Sequence, residues 1–223
     1  FLFTDYDQAR AALYEGDYGY QLIGDVASLG FTVNGIVPDG FRVMTMNKKV
    51  ESLADMHGLK MRMPNLEIMV EIGNYLGFAV TPMSMTEVFS ALEQGVIDGQ
   101  ENPPSTIRSQ GWYEIQDYLL VSNHVFTSLF LCVNNDFYNS LDSELQNILD
   151  EVIDETCAQI WDTAQTQAQE DLDYMSSEGG IEVYEPSDSF RQEMVEATAP
   201  MYDNMYETAP EVEEVINAIQ AIQ

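Results

Sequence analysis

The amino-acid sequence predicts an α/β fold in which a long helix connects two lobes. Strand-like and helix-like runs alternate between residues 31 and 103, which is typical of strands joined by crossover helices. A helical pattern then extends from about residue 143 to about residue 179. At a rise of about 1.5 Å per residue this helix is roughly 50 Å long, whereas a small domain is about 30 Å wide. We therefore expect it to extend across both lobes.

The composition is that of a folded but strongly acidic protein. The chain has 223 residues, of which 45% are hydrophobic and 11% aromatic, and this is enough to form a core. Its formal net charge is −30, so it would repel nucleic acids and anionic membranes. There is no run of 18 apolar residues, and we expect no membrane-spanning segment.

The individual elements follow from capping residues, periodicity and breakers. Thr4 is expected to cap the first helix, and Asn65 is expected to cap the helix that follows the strand ending at Pro64. Ser187 is expected to cap a helix that continues to about residue 207. Other helices are predicted at about residues 18–29, 84–94 and 209–222. Strands are predicted at residues 31–37, 41–46, 59–63, 79–82, 97–101, 125–133 and 181–184, and the run 125–133 is apolar enough to be buried on both faces.

The positive charges are concentrated in one part of the chain. Five of the eight Lys and Arg residues fall between positions 42 and 62, and Arg42 and Arg62 lie within strands of alternating pattern. A guanidinium in such a place needs a partner, and its geometry fits a carboxylate. The pattern alone leaves open whether that carboxylate belongs to a ligand or to the protein.

Catalytic and metal sites are poorly supported by the sequence. Cys132 and Cys157 lie in apolar surroundings, no C-x-x-C motif is present, and we expect no metal and no cofactor. The enzymatic alternative is an acidic hydrolase that uses paired carboxylates from Asp98, Glu101 and Glu87. Since 38 acidic residues produce such groupings by chance, we expect no catalytic residues and no enzyme.

Three sequence runs resemble one known family. They are Gly-Leu-Lys-Met-Arg-Met-Pro-Asn at 58–65, Pro-Met-Ser-Met-Thr-Glu-Val-Phe-Ser-Ala-Leu at 82–92, and Gly-Val-Ile-Asp-Gly-Gln-Glu-Asn-Pro at 95–103. The chain resembles the substrate-binding proteins of tripartite ATP-independent periplasmic (TRAP) transporters, of the DctP type. The resemblance covers nearly the whole chain, and the Asp-Gly-Gln-Glu-Asn-Pro run is its most specific part.

This resemblance implies a two-lobed, periplasmic-binding-protein-like α/β fold whose N-terminal part is missing from this chain. Residues 1–39 and 128–165 would be the remainder of lobe I, and residues 40–127 and 166–223 would form lobe II. The family implies an organic-acid ligand, no cofactor, and the integral membrane subunits of the transporter as partners. It also implies a periplasmic or extracellular, membrane-associated location, with the signal peptide outside this segment.

The resemblance also assigns five candidate ligand contacts. Arg62 matches the principal carboxylate clamp of the family, and Arg42 matches a second arginine found in many of its members. Asn65 and Asn102 match polar ligand contacts. Met85 stands where the family often has Phe, and this departure affects the identity of the acid more than its class.

Overall fold

The computed structural model describes residues 1–24 and 26–222. Within them, the α-helices are α1 (Tyr6–Leu13), α2 (Tyr18–Ile23), α3 (Leu53–Met56), α4 (Glu67–Tyr75), α5 (Val88–Glu93), α6 (Pro104–Ser109), α7 (Asn135–Ser140), α8 (Ser143–Ser177), α9 (Asp188–Thr198), α10 (Pro200–Thr208) and α11 (Glu211–Gln220). The strands are β1 (Phe31–Phe41), β2 (Val43–Met46), β3 (Lys60–Met63), β4 (Ala79–Pro82), β5 (Gly99–Asn102), β6 (Tyr118–Leu120), β7 (Phe126–Asn134) and β8 (Glu182–Tyr184). Short 3₁₀ turns occur at Ala27–Leu29, Met85–Glu87 and Trp112–Ile115.

The described residues form two compact units. Unit 1 comprises the described residues within 1–40, 125–166 and 209–222, and unit 2 comprises residues 41–124 and 167–208. The C-terminal helix differs from the lobe assignment made from the sequence, because it belongs to unit 1. Gln8 in α1 donates to the carbonyl oxygens of Ile219 (3.2 Å) and Ile222 (3.1 Å). The sequence predicted a helix over residues 209–222 but did not indicate against which unit it packs.

Unit 2 contains a six-stranded sheet, counted over the described residues, in the order β4-β3-β5-β2-β6-β8. Strand β3 pairs in parallel with β4 and β5, β2 is antiparallel to β5 and β6, and β6 is parallel to β8. The ends of β4, β3, β5 and β6 and the beginning of β2 therefore lie at one edge of the sheet, which we call the carboxyl edge. The core beside the sheet includes Val43, Val88, Leu92, Ile97, Ile107, Trp112, Leu119 and Met175.

Unit 1 contains a two-stranded sheet of β1 and β7, as far as the described residues extend. Its core includes Val37, Ile153 and Cys157. The prediction that β7 is buried on both faces was wrong, because Leu129 is 56% exposed and Phe130 is 49% exposed. In the described part of the chain, this strand has one neighbouring strand, and none of its nine residues is buried: four are exposed and five are partly exposed.

The long helix predicted from the sequence is confirmed. Helix α8 covers 35 residues, and its sequence contains neither Gly nor Pro, so nothing interrupts the backbone hydrogen bonds. Residues 143–166 belong to unit 1 and residues 167–177 to unit 2. One helix thus contributes to both units.

Helix beginnings were predicted with mixed success. Ser187 caps α9 as predicted, by accepting from the backbone N–H of Phe190. At the first helix the cap is Asp5 and not Thr4, because the Asp5 carboxylate accepts from the N–H of Gln8. Asn65 does not cap α4, since the helix begins one residue later than that position allows.

Two further helix predictions were corrected by the structure. The helix predicted over residues 187–207 is divided into α9 and α10 at Pro200, which has no N–H to continue the first helix. The helix predicted over residues 18–29 is found as α2 and the 3₁₀ turn at 27–29, and Asp25 lies outside the described residues.

The two cysteines lie in different environments. Cys157 on α8 is buried, as its apolar surroundings predicted, whereas Cys132 on β7 is exposed. Among residues 1–24 and 26–222, no group of three His, Cys, Asp or Glu side chains is placed to hold a metal ion. No helix in the described ranges is long and apolar enough to span a bilayer.

Candidate functional site

The candidate site lies at the carboxyl edge of the unit 2 sheet. In α/β sheets, ligands bind beyond the carboxyl ends of parallel strands, where loops and helix N-termini meet. Here the adjacent strands β4, β3 and β5 end at Pro82, Met63 and Asn102. Of the sequence-predicted residues, Arg62, Asn102 and Arg42 are brought to this edge.

Arg62 is buried at the end of β3 and is 4% exposed. Its Nε and Nη2 atoms donate to the carbonyl oxygen of Met83, at 3.2 and 2.9 Å. In the part of the chain that the structure describes, no carboxylate lies within ion-pair distance of this guanidinium. Burial lowers the pKa of Arg62. The charge of Glu101 raises this pKa by a smaller amount, and the charge of Arg42 lowers it. The side chain is therefore a buried cation held by a neutral acceptor.

Arg42 is buried beside it but has a carboxylate partner. Its Nε donates to Glu101 Oε2 at 2.5 Å, and its Nη2 donates to Glu101 Oε1 and to the Glu101 carbonyl oxygen, both at 2.9 Å. Glu101 is completely buried. Of the two partners that the sequence left open for Arg42, the structure contains the internal carboxylate. A direct ligand contact by Arg42 stays a prediction.

His124 is a second neighbour of the Glu101 carboxylate. Its Nε2 lies 3.4 Å from Glu101 Oε2, and its Nδ1 lies 2.8 Å from the hydroxyl oxygen of Ser122. Burial lowers the pKa of His124, and this favours the neutral ring. Between Ser122 and His124, Asn123 has a φ of +46°, a left-handed conformation that Asn tolerates better than most residues.

Glu101 is stabilised as a carboxylate by these neighbours. Burial alone raises the pKa of Glu101, but the contacts with His124 and Arg42 and the positive charge of Arg42 outweigh this effect. The pKa of Glu101 is therefore held below its usual value. At neutral pH the side chain is an anion that neutralises the Arg42 charge.

A row of neutral polar side chains lies next to Arg62. Arg62 on β3 is the register partner of Gln100 on β5. The Nδ2 atom of Asn102 donates to Gln100 Oε1 at 2.8 Å, and Gln100 Nε2 donates to the hydroxyl oxygen of Thr45 at 2.9 Å. Asn102 is 7% exposed. This row fixes the orientation of the Asn102 amide and leaves its Oδ1 atom available as an acceptor.

Asn65 and Met85 lie in the loops that follow β3 and β4. Asn65 is exposed and directly precedes the uncapped N-terminus of α4. Met85 is 42% exposed and begins the 3₁₀ turn Met85–Glu87, which is fixed by a capping box between Ser84 and Glu87. Both side chains are accessible, and their contact with a ligand stays a prediction.

The three carboxylates of the hydrolase alternative have separate roles. Glu101 is in the ion pair with Arg42, and Glu87 accepts from the N–H and the hydroxyl group of Ser84. Asp98 accepts from the backbone N–H of Lys60 at 2.8 Å. Each carboxylate therefore has a structural partner, and the sheet geometry gives the proposed pairing no support.

Sequence reasoning missed the network of Glu101, His124 and Ser122. Glu101 was noted as a candidate acid, and none of the three residues was identified as a partner of Arg42. The available signal was the position of Glu101 inside an otherwise neutral strand, because a carboxylate there requires a buried cation. The contact between Arg62 and the Met83 carbonyl oxygen could not be predicted, since every residue has a backbone carbonyl group and the sequence does not indicate which one a side chain will contact.

A buried cation at the carboxyl edge of an α/β sheet is an arrangement from which a binding site for a small anion can be built. The comparison with known families agrees with this class. Residues 1–209 match the family DctP, described as bacterial extracellular solute-binding protein, family 7, and the chain belongs to that family.

Characterised and uncharacterised relatives are similar over most of this chain. It is 32% identical to an uncharacterised protein of Haemophilus influenzae, over 98% of this chain and 66% of the relative. It is 30% identical to the C4-dicarboxylate-binding periplasmic protein DctP of Rhodobacter capsulatus, over 93% of this chain and 62% of the relative. The chain thus spans slightly less than two thirds of the length of these proteins.

Solved structures match the fold closely. A TRAP periplasmic solute-binding protein of Haemophilus influenzae with bound L-gulonate has a TM-score of 0.86 at 32% identity, covering 98% of this chain and 71% of that one. The sugar acid binding protein DctPAm of Advenella mimigardefordensis, in complex with galactonate, has a TM-score of 0.89 at 27% identity, covering 99% and 71%. The prediction of a periplasmic-binding-protein-like α/β fold with a long helix is confirmed.

Proposed function

We propose that this protein is the solute-binding component of a TRAP transporter and that it captures a small organic acid at the carboxyl edge of unit 2. The observation that carries the proposal is Arg62, a guanidinium that is 4% exposed and faces a carbonyl group instead of a carboxylate. Burying a charge without an opposite charge is costly, and a ligand carboxylate would compensate that cost.

The geometry around Arg62 suits an anion. Its Nη1 atom has no hydrogen-bond partner among the described residues and is free to donate. The N-terminus of α4 follows three residues after β3 and has no side-chain cap, so its free N–H groups and partial positive charge favour negative groups nearby. A carboxylate bound by Arg62 would thus be supported by two independent positive features.

The ligands of the similar structures support an acid. Those structures contain L-gulonate, galactonate, D-glucuronate and succinate, all of which are carboxylates. Another contains sn-glycerol-3-phosphate, which is also an anion. An acidic ligand is the property that these proteins share.

We assign roles to the five candidate residues on this basis. Arg62 binds the carboxylate, and Asn102 and Asn65 form hydrogen bonds with polar groups of the ligand. Met85 supplies an adaptable apolar contact. Arg42 contributes at most a hydrogen bond from Nη1, because its other donors are used by Glu101.

The partners and the location follow from the same family. Relatives are named as periplasmic binding proteins, including DctP of Rhodobacter capsulatus and the sialic acid-binding SiaP of Vibrio cholerae. We propose a periplasmic or extracellular location next to the membrane and delivery of the acid to the integral membrane subunits of the transporter. With a net charge of −30, no nucleic-acid partner is expected.

The proposal is tested by calorimetric titration of the complete natural protein with L-gulonate, D-glucuronate, galactonate and succinate. Arg62→Met should weaken binding of the preferred acid about 100-fold or more, because it removes one partner of a buried charge pair. Lys60→Met is the matched control, since Lys60 lies on the same strand, carries the same charge and is exposed. It should change the affinity less than about threefold. Unchanged affinity of the Arg62 variant would contradict the proposal.

A further inference from the structure

We propose that an apolar rim at the carboxyl edge of unit 2 is a surface on which the integral membrane subunits of the transporter dock. The rim consists of Leu66, Ile68, Met85 and Phe89. The inference rests on the proposed function and deepens it, because it assigns a partner surface on this chain. It does not depend on which acid is bound.

The exposed apolar side chains of unit 2 are concentrated at this edge. Among the described residues of unit 2, six large apolar side chains are exposed, and the rim contributes four of them. The exposed fractions in the rim are 58% for Leu66, 46% for Ile68, 42% for Met85 and 39% for Phe89. Single exposed apolar side chains need no explanation, whereas several at one place on a surface indicate an interaction site.

The strand order places the four rim residues at one end of the sheet. Strands β3 and β4 are neighbours and run in parallel, so they end at the same edge. Leu66 and Ile68 follow β3 at the beginning of α4, and Met85 and Phe89 follow β4 in the 3₁₀ turn and at the beginning of α5. The rim therefore lies at the edge that holds Arg62, whose guanidinium donates to a carbonyl group in the segment after β4.

The rim side chains are exposed because packed neighbours fix the backbone that carries them. Met69, next to Ile68, is 5% exposed, and Val88, next to Phe89, is completely buried. Successive side chains of a helix point about 100° apart, so burial of one directs the adjacent one away from the core. The turn that carries Met85 is fixed by its capping box. The apolar side chains are thus held in contact with solvent, as expected for a preformed contact surface.

The charges beside the rim define the chemistry of its partner. Residues 64–76 and 82–94 include four Glu and no Lys or Arg. Two of these acids, Glu67 and Glu87, are exposed and lie between the rim residues of their own segments. Interfaces combine an apolar centre with charges that are complementary to those of the partner. We therefore expect the docking surface of the membrane subunits to present apolar side chains together with Lys or Arg.

The membrane subunits are the partner that the position of the rim favours. An acid bound by Arg62 leaves the protein at the carboxyl edge, so a receiving protein has to contact the surface around that edge. The alternative is that a part of the natural protein outside this chain covers the rim, because the chain spans slightly less than two thirds of the relatives' length. The two possibilities differ in whether the rim of the complete protein is accessible before the membrane subunits bind.

Thiol labelling of the complete natural protein tests this accessibility. Ile68→Cys and Phe89→Cys are each made in a Cys132→Ser background, because Cys132 is an exposed natural thiol. Both should react with a maleimide about as quickly as Val96→Cys, an exposed position before the beginning of β5 and hence at the opposite edge of the sheet. Membrane subunits at about ten times their Kd should slow labelling of both rim positions about tenfold and leave Val96→Cys unchanged. Rim positions that resist the reagent in the protein alone, or that the subunits do not protect, would contradict the inference.

Uptake by proteoliposomes that contain the membrane subunits tests the function of the rim. The acid is whichever of L-gulonate, D-glucuronate, galactonate and succinate binds most tightly. For Ile68→Ser combined with Phe89→Ser, the concentration of binding protein that gives half-maximal uptake should rise about tenfold or more, since central apolar residues often carry over 1 kcal/mol each. The affinity for the acid, measured by calorimetry, should change less than about threefold. Val96→Ser is the matched control, and Met85 is left unchanged because we assign it to the ligand.

The charge complementarity is tested by Glu67→Lys. At about 50 mM salt this variant should raise the half-maximal concentration about threefold or more, and at about 500 mM the difference from the wild type should shrink, because salt screens exposed charges. Glu93→Lys is the matched control, since Glu93 is exposed at the other end of α5. Equal effects of the two charge reversals would contradict a basic partner surface at the rim.

The outcomes separate this inference from the proposed function. If an acid binds, depends on Arg62 and is taken up equally well with the Ile68 and Phe89 double variant and with Val96→Ser, the inference is wrong and the proposed function stands. If the double variant loses acid affinity as strongly as uptake, the rim serves acid binding, and the inference is also wrong. If none of the four acids binds, the proposed function is contradicted and the inference with it.

Discussion

Arg42 at the beginning of β2 and Arg62 at the end of β3 lie at the same sheet edge and are about equally buried, at 7% and 4% exposure. They differ in their partners. Arg42 donates to both carboxylate oxygens of Glu101, whereas Arg62 donates to the neutral carbonyl oxygen of Met83. Burial alone therefore does not separate a structural arginine from one that we propose to bind a ligand, whereas the charge of its partner does.

The largest expected effect is on stability and concerns Arg42. Arg42→Met leaves the carboxylate of Glu101 buried without its cation, and this should lower the free energy of unfolding by about 3–5 kcal/mol. Arg62→Met removes a cation that has no carboxylate, and it should change the same quantity by at most about 1 kcal/mol. Urea unfolding at pH 7 measures both.

The double variant Arg42→Met with Glu101→Met is the control for this prediction. Replacing both partners of a buried ion pair by apolar residues is often close to neutral, so most of the lost stability should return. Equal losses in the Arg42 and Arg62 single variants would remove the distinction between the two arginines.

A smaller effect is expected at the polar row beside Arg62. Asn102→Ala leaves Gln100 Oε1 without its donor, and Gln100 is completely buried. The free energy of unfolding should fall by about 1–2 kcal/mol, and acid affinity should fall less than in Arg62→Met. Asn204→Ala is the matched control, because the Asn204 amide donates to Glu71 and Tyr75 on the exposed surface. A loss at Asn102 no larger than that at Asn204 would argue against the row as a structural support.

The smallest effect concerns pH and His124. Burial lowers the pKa of His124 in the folded state, with Glu101, Arg42 and Ser122 as its neighbours. Below the ordinary pKa of about 6.5 the unfolded chain binds a proton at this residue that the folded chain does not, so the contribution of His124 to stability falls as pH falls from 7 toward 5. The slope from this residue is at most about 1.4 kcal/mol per pH unit.

His124→Gln should flatten this slope, and His57→Gln, at an exposed position, should not. Stability measured by urea unfolding at several pH values between 5 and 7 is the appropriate comparison. A slope between pH 5 and 7 that is the same in the wild type and in His124→Gln would contradict the assignment of a neutral His124.

The sequence predicted the fold well where the signal is local. Helix α8 follows from 35 residues of apolar periodicity without Gly or Pro, and β3 follows from the short run before Pro64. The alternation in β3 was less informative than expected. Met61, Arg62 and Met63 are all buried, because β3 lies between β4 and β5 and both of its faces are covered.

The site was predicted less completely because its partners are distant in sequence. Arg42 and Glu101 are 59 positions apart, and nothing in either local pattern identifies one as the partner of the other. The resemblance to the family brought Arg62, Arg42 and Asn102 together, but it did not distinguish the neutralised guanidinium from the uncompensated one. That distinction depends on tertiary contacts, as does the assignment of α11 to unit 1.

The contrast between exposed Cys132 and buried Cys157 has a practical consequence. A thiol reagent should modify Cys132 quickly, because reactivity depends on access to the thiolate. It should reach Cys157 only when the core of unit 1 opens. The natural sequence therefore offers an attachment point for a fluorescent dye on β7. In the same molecule, the rate at which the second thiol is modified would report how often the surroundings of α8 open.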